Sequence, residues 1–196
     1  MSGMRGRILR ELLGRSPDYA VRSSYIYRRA FDHIIAGIYL ESVPSGVYLW
    51  EFALPLYDGT AEPHLTFGRR IGKDGGFLGM DGKDMHILDI VYEMLQSIDG
   101  EIGKISTLEG FREWISGGSE RNIYAEFADI CSLVLLRRCI EAREQLDRLL
   151  GSGRTARYDE LHLRVSALKT SLDIDAQSAT DLLLGWEGKV RPYWLK

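Results

Sequence analysis

The chain has 196 residues, of which 45% are hydrophobic and 27% charged, the balance of a globular domain rather than a disordered chain. Its 25 basic and 28 acidic residues leave a formal charge of −3, which excludes the strongly basic footprint of a nucleic-acid binder.

Arg7–Gly14 opens the chain as a short helix with Ile8, Leu9, Leu12 and Leu13 on one stripe, and Gly14 is expected to stop it. Ser16-Pro17-Asp18 then breaks the chain. From Tyr19 onward strand formers dominate. The alternation of apolar and polar residues, punctuated by Pro44-Ser45-Gly46 and Asp58-Gly59, predicts four strands near 19–28, 31–42, 46–57 and 64–71. Pro55 should end regular pairing. The short links favour an antiparallel meander. On the third strand, Tyr48, Trp50, Phe52, Leu54 and Leu56 share one face, expected to lie under the helices. The alternative for that face is an exposed binding platform.

Residues 72–84 carry five glycines in thirteen positions and read as a mobile loop. Helical spacing follows to the end of the chain. Ile87, Ile90, Val91, Met94, Leu95 and Ile98 mark the first long helix. Ser106-Thr-Leu-Glu109 has the form of a capping box before Leu108, Phe111, Trp114 and Ile115, and Gly117-Gly118 ends that helix. Ile123 to Leu135 and Cys139 to Leu150 form a helical hairpin, Leu161 to Leu168 another helix, and a last one starts near Asp175. Trp114, Phe127 and Trp186 are expected to be mostly buried. The fold class is therefore α+β: a four-stranded antiparallel meander followed by a mostly helical C-terminal half. Residues 1–84 hold the N-terminal helix, sheet and Gly-rich loop. Residues 85–196 hold the helical half packed on the sheet, within one domain.

Charge is uneven along the chain. Residues 1–29 carry +5, residues 81–129 carry −7 from eleven acids and four bases, and residues 130–196 carry +2. An acidic middle segment can steer toward a basic partner.

No constellation specifies a reaction. The four histidines are dispersed, and Cys131 and Cys139 are eight apart, outside zinc-knuckle spacing, so no metal and no cofactor are expected. There is no Gly-x-Ser-x-Gly elbow. Gly72-Lys73-Asp74 has Asp where a phosphate loop needs Ser or Thr. Glu41 and Glu51 could face each other across the sheet, but with 28 acids in the chain no pair is specific. The candidate binding residues are His64, Arg69 and Arg70 at the sheet end, with Lys73 on the Gly-rich loop. A planar guanidinium there suits a carboxylate or phosphate.

The order of elements carries a resemblance. Tyr25-Ile-Tyr-Arg-Arg29 precedes two long strands, and His64-Leu-Thr-Phe-Gly-Arg-Arg70 forms the fourth. A helix from His86, the Ile105–Phe111 element and the helices holding Ala142-Arg-Glu-Gln-Leu146 follow. This order resembles the bacterial families of small domains typified by domain of unknown function 4304. The resemblance implies an α+β fold, no catalytic residue, and a class in which some similar domains act as immunity proteins against toxins.

The expected function is thus a non-catalytic protein-binding module with a protein partner, basic if the acidic segment steers it, as in an immunity-type inhibitor of a bacterial toxin. The alternative is a small-molecule-binding enzyme or sensor with its site where the sheet meets the Gly-rich loop. No apolar run reaches the roughly 20 residues of a membrane helix, and no apolar stretch follows the N-terminal arginines. With only two cysteines, the expected location is the reducing cytoplasm, with no membrane and no nucleic-acid partner. The oligomeric state stays open.

Overall fold

The computed structural model describes residues 4–59, 64–79, 84–117 and 122–195. They form an antiparallel sheet and a set of helices that fall into two compact units. The first holds residues 1–54 and 67–107. The second holds residues 55–66 and 108–196.

In the first unit, helix α1 (Met4–Arg15) leads into the hairpin β1 (Tyr19–Arg22) and β2 (Tyr25–Arg28). Leu9 and Leu12 are buried, and the Ile8 side chain lies outside the described residues. Gly14 does not stop α1, which continues to Arg15. The single strand expected at 19–28 is two strands, because the chain reverses at Ser23, whose φ of 56° is left-handed. The long strands β3 (Ile34–Val43) and β4 (Gly46–Pro55) follow, joined by the two-residue turn Pro44-Ser45. Strand β4 ends at Pro55, where a ladder donor is missing.

The other edge of β4 is shared end to end by two short strands. β5 (Gly68–Arg70) pairs Trp50 with Arg70 and Glu51 with Arg69. β6 (Phe77–Gly79) pairs Val47 with Leu78 and Tyr48 with Phe77. The sheet therefore has six strands in the order β1-β2-β3-β4-β5, with β6 also on β4. This corrects the reading of 72–84 as a mobile loop. Residues 73–76 form a 3-10 turn and 77–79 a strand, while 80–83 lie outside the described residues. One glycine there is required by close backbone approach. Gly76 has φ of 77°, and a Cβ at this position would sit 2.5 Å from the Ile71 carbonyl oxygen and 2.8 Å from that of Leu49.

Helix α2 (Asp84–Ile105) closes the unit against the sheet and α1. Tyr19, Arg28, Val47, Leu49, Glu51 and Arg69 lie on the covered face by strand alternation and register. Two contacts mark the cover: the Tyr19 hydroxyl donates to Asp99 of α2 at 2.5 Å, and Arg69 reaches Glu101 of α2 at 2.5 Å.

The second unit is a helical bundle. α3 (Leu108–Ser116) packs on α4 (Ile123–Leu135), which packs on α5 (Cys139–Gly151). α6 (Asp159–Ile174) follows α5, and α7 (Ala176–Trp194) packs on α6 and returns to α4. Short links between consecutive helices make the last four an up-and-down four-helix bundle rather than an open solenoid. The Asn122 side chain caps α4 by accepting from the Ala125 amide, and Asp175 caps α7 by accepting from Ser178. Ser106 and Thr107 direct their hydroxyls back to carbonyls in the last turn of α2.

The segment after β4 enters this bundle. Its 3-10 turn (Leu56–Asp58) lies against α7 and α4, with Leu56 and Tyr57 fully buried. The Tyr57 and Ser132 hydroxyls share a hydrogen bond of 2.6 Å, and Arg164 donates to the Asp58 carbonyl. Burial pushes the Tyr57 phenol well above its usual pKa. Phe127 is buried as expected and meets Trp186 with ring centroids 6.5 Å apart. Trp114 and Trp186 are partly exposed at the edge of the bundle's interior, mostly buried as expected. Among the described residues no helix is long and apolar enough to cross a membrane.

Candidate functional site

Alternation gives the sheet two chemically different faces. Even-numbered residues of β4 lie on the face away from α2. The register places Trp50 beside Arg70 and Tyr48 beside Phe77 on that face. Tyr25, opposite Tyr39, joins it through ring contacts to Tyr39 at 4.5 Å and Phe52 at 5.0 Å. The result is an aromatic row running from β2 to β6. It differs from the expected helix-covered core. Phe52 and Tyr25 are buried, but Tyr39, Tyr48, Trp50 and Phe77 are half-buried, because α2 packs on the opposite face.

Arg70 is the charged centre of this row. Its guanidinium lies over the Tyr48 ring, 3.9 Å from the centroid, and 4.9 Å from the Trp50 ring. Tyr48 is backed by Phe77 at 5.1 Å. The Trp50 indole Nε1 donates to Glu41 at 2.8 Å, and the same carboxylate oxygen stands 3.6 Å from an Arg70 nitrogen. Stacking on a π face attracts the cation, by about 0.5–1 kcal/mol at an exposed site. It also fixes the plane of the fork. The Arg70 side chain remains 43% exposed, so an oriented guanidinium meets solvent from an aromatic bed.

Arg69, its neighbour, points the other way. It donates to Glu51 at 2.6 Å and to Glu101 at 2.5 Å on the α2 face. Burial alone lowers the basicity of this guanidinium, but the hydrogen bond and charge of Glu51, followed by the charge of Glu101, outweigh that and raise its pKa. Glu51, 1% exposed, is thereby an ionic partner inside the covered face. Glu41 and Glu51 lie on opposite faces and do not form a pair.

The four residues expected at the sheet end are thus distributed as follows. Arg69 and Arg70 are adjacent in sequence but serve opposite faces. His64 belongs to the second unit, where its Nε2 is 3.1 Å from Asp58. Lys73 begins the 3-10 turn before β6, and its side chain lies outside the described residues. Sequence reasoning missed Tyr48, Trp50, Glu41 and Phe77 as companions of Arg70. The signal available was the alternation that put Tyr48 and Trp50 on one face. The strand that brings Phe77 in was concealed by its flanking glycines.

Part of the acidic segment is held in ion pairs among the described residues. Arg15 holds Asp89 at 2.8 Å, Arg28 stands 3.8 Å from Asp99, Arg69 holds Glu101, Arg112 holds Asp129 at 2.6 Å and Arg154 holds Glu126 at 2.7 Å. The basic N-terminal segment therefore neutralises part of the acidic one within the first unit. Among the described residues no three His, Cys, Asp or Glu side chains are grouped to hold a metal ion. Comparison with protein-family models, with curated proteins and with solved structures finds no match.

Proposed function

We propose that the chain is a non-catalytic protein-binding module that docks its partner on the sheet face carrying Tyr48, Trp50 and Arg70. The observation that carries this reading is the Arg70 guanidinium, held 3.9 Å over the Tyr48 ring and still 43% exposed. Tyrosine, tryptophan and arginine are the residues that dominate binding energy at protein interfaces. A guanidinium already fixed by stacking loses less rotamer freedom on binding than a free one. Its open donors suit a partner carboxylate, and the flanking Tyr48–Phe77 pair suits an apolar side chain beside it. The partner is accordingly a protein presenting an acidic residue next to an apolar one, rather than a basic surface drawn by the 81–129 acids.

An immunity-type inhibitor of a bacterial toxin is the form of this reading that the family resemblance implies. The small-molecule alternative has less support, since Arg69 and Arg70 do not converge on one site. The test is affinity capture from the native host at low and high salt, with the parent chain, Arg70→Glu and Lys189→Glu, the last on an exposed turn of α7. The reading predicts one protein retained by the parent and Lys189→Glu and lost from Arg70→Glu, with all three melting alike. Retention by Arg70→Glu, or no retained protein at either salt, overturns it.

A further inference from the structure

The second unit has a concavity that the protein-binding reading does not use. It measures about 480 Å³, within the size range of small-molecule sites, and lies where the α5–α6 connection passes the start of α4. Gly153, with φ of 66°, turns the chain into a 3-10 turn over Arg154–Arg157. Thr155 anchors that turn from within. It is 1% exposed, and its hydroxyl is 2.9 Å from His162 Nδ1. Three residues per turn bring positions 154 and 157 to the same side, so anchoring Thr155 inward presents both arginines to the concavity.

The two arginines have different roles. Arg154 is committed to Glu126, with one nitrogen at 2.7 and 3.0 Å from its two carboxylate oxygens. Arg157 is exposed and makes no ion pair with another described residue. Beside it, the rings of Tyr124 and Tyr158 meet edge to face at 5.7 Å while 42% and 45% exposed. The end of α4 is already capped by Asn122, so the binding charge here is the guanidinium and not the helix end.

We propose that this concavity binds a small ring-bearing phosphate of nucleoside-monophosphate size. Arg157 takes the phosphate, and the Tyr124–Tyr158 pair takes the ring. A planar fork matches phosphate oxygens, and an exposed aromatic surface offers a stacking face for any base. The charge and the aromatic surface thus stand together on one concavity.

The experiment is a titration of the full chain with AMP, inorganic phosphate and adenosine, followed by amide chemical shifts. AMP should shift the amides of residues 122–124 and 152–158 saturably, and bind about tenfold or more tightly than either fragment. Arg157→Gln should weaken AMP about tenfold with melting temperature unchanged. Tyr158→Leu should weaken AMP and adenosine but leave phosphate alone. Absence of a saturable shift at 10 mM AMP overturns the proposal, as does unchanged AMP binding by Arg157→Gln. Equal binding of phosphate and AMP overturns the ring contribution and leaves only a charge site.

Discussion

Arg69→Ala leaves the Glu51 carboxylate on the α2-covered face without the guanidinium that binds it at 2.6 Å. Breaking a buried pair by removing one partner costs about 3–5 kcal/mol. Arg69 is 53% exposed, so water already screens part of that interaction and the expected cost at pH 7 is about 2–3 kcal/mol. Glu101, also released, is half-exposed and hydrates. Urea unfolding followed by far-UV circular dichroism at pH 7 reads this directly. The double change Glu51→Leu with Arg69→Met should be near neutral, because no charge is left behind. A single variant within about 0.5 kcal/mol of the parent at pH 7 refutes the assignment of Glu51 and Arg69 as a buried pair.

Four further outcomes are expected. Phe127→Ala should lose about 3–5 kcal/mol in denaturant unfolding, since the ring is buried in the bundle against Trp186. Gly76→Ala should cost about 1–3 kcal/mol, as a Cβ there meets two carbonyl oxygens at positive φ, whereas Gly75→Ala, with open space around it, should cost less. A thiol reagent should label Cys139 in the folded protein and Cys131 only on unfolding, because burial pushes the Cys131 thiol well up and shields it. Asp175, whose carboxyl is lowered by the hydrogen bond from the Ser178 amide, stabilises the fold above its unfolded pKa. Asp175→Ala should therefore lower the melting temperature at pH 7, and the difference should vanish as acid protonates the parent's carboxylate.

How far the fold could be read from the sequence depended on whether the deciding interaction was local. Asp175 announces a helix start because a cap acts within three residues, and Pro55 ends a strand because it lacks its own donor. The split at Ser23 was hidden, since no glycine or asparagine marks its left-handed turn. The face of the sheet that α2 covers stayed open because alternation gives two faces but not their order. Glu51 was weighed against Glu41, whereas its partner is Arg69, which only the register of β5 on β4 brings beside it. The short strand β6 was legible only as glycine, because its partner strand β4 is what gives Phe77 and Leu78 a register. The Arg70 site suffered from the same limit: its arginine was chosen from the sequence, while its aromatic bed comes from two other strands, β4 and β6.

The course of the chain at Pro55–Thr66 bears on how the protein is made. Leu56 and Tyr57 leave the ribosome early, yet the helix they rest on, α7, is the last to emerge. Until then these two apolar side chains lack the α7 part of their cover, α4 supplying the rest, and the whole of α3 to α6 is synthesised in the interval. Closing so long a loop before its contacts are rewarded slows folding. Synthesis halted before Ala176 would strand a sticky hook between β4 and β5, a feature for chaperones to cover and for truncation to expose. Conversely, a fragment beginning at Leu108 lacks a piece of its own interior, and a separate peptide spanning residues 55–66 is the natural plug to restore it.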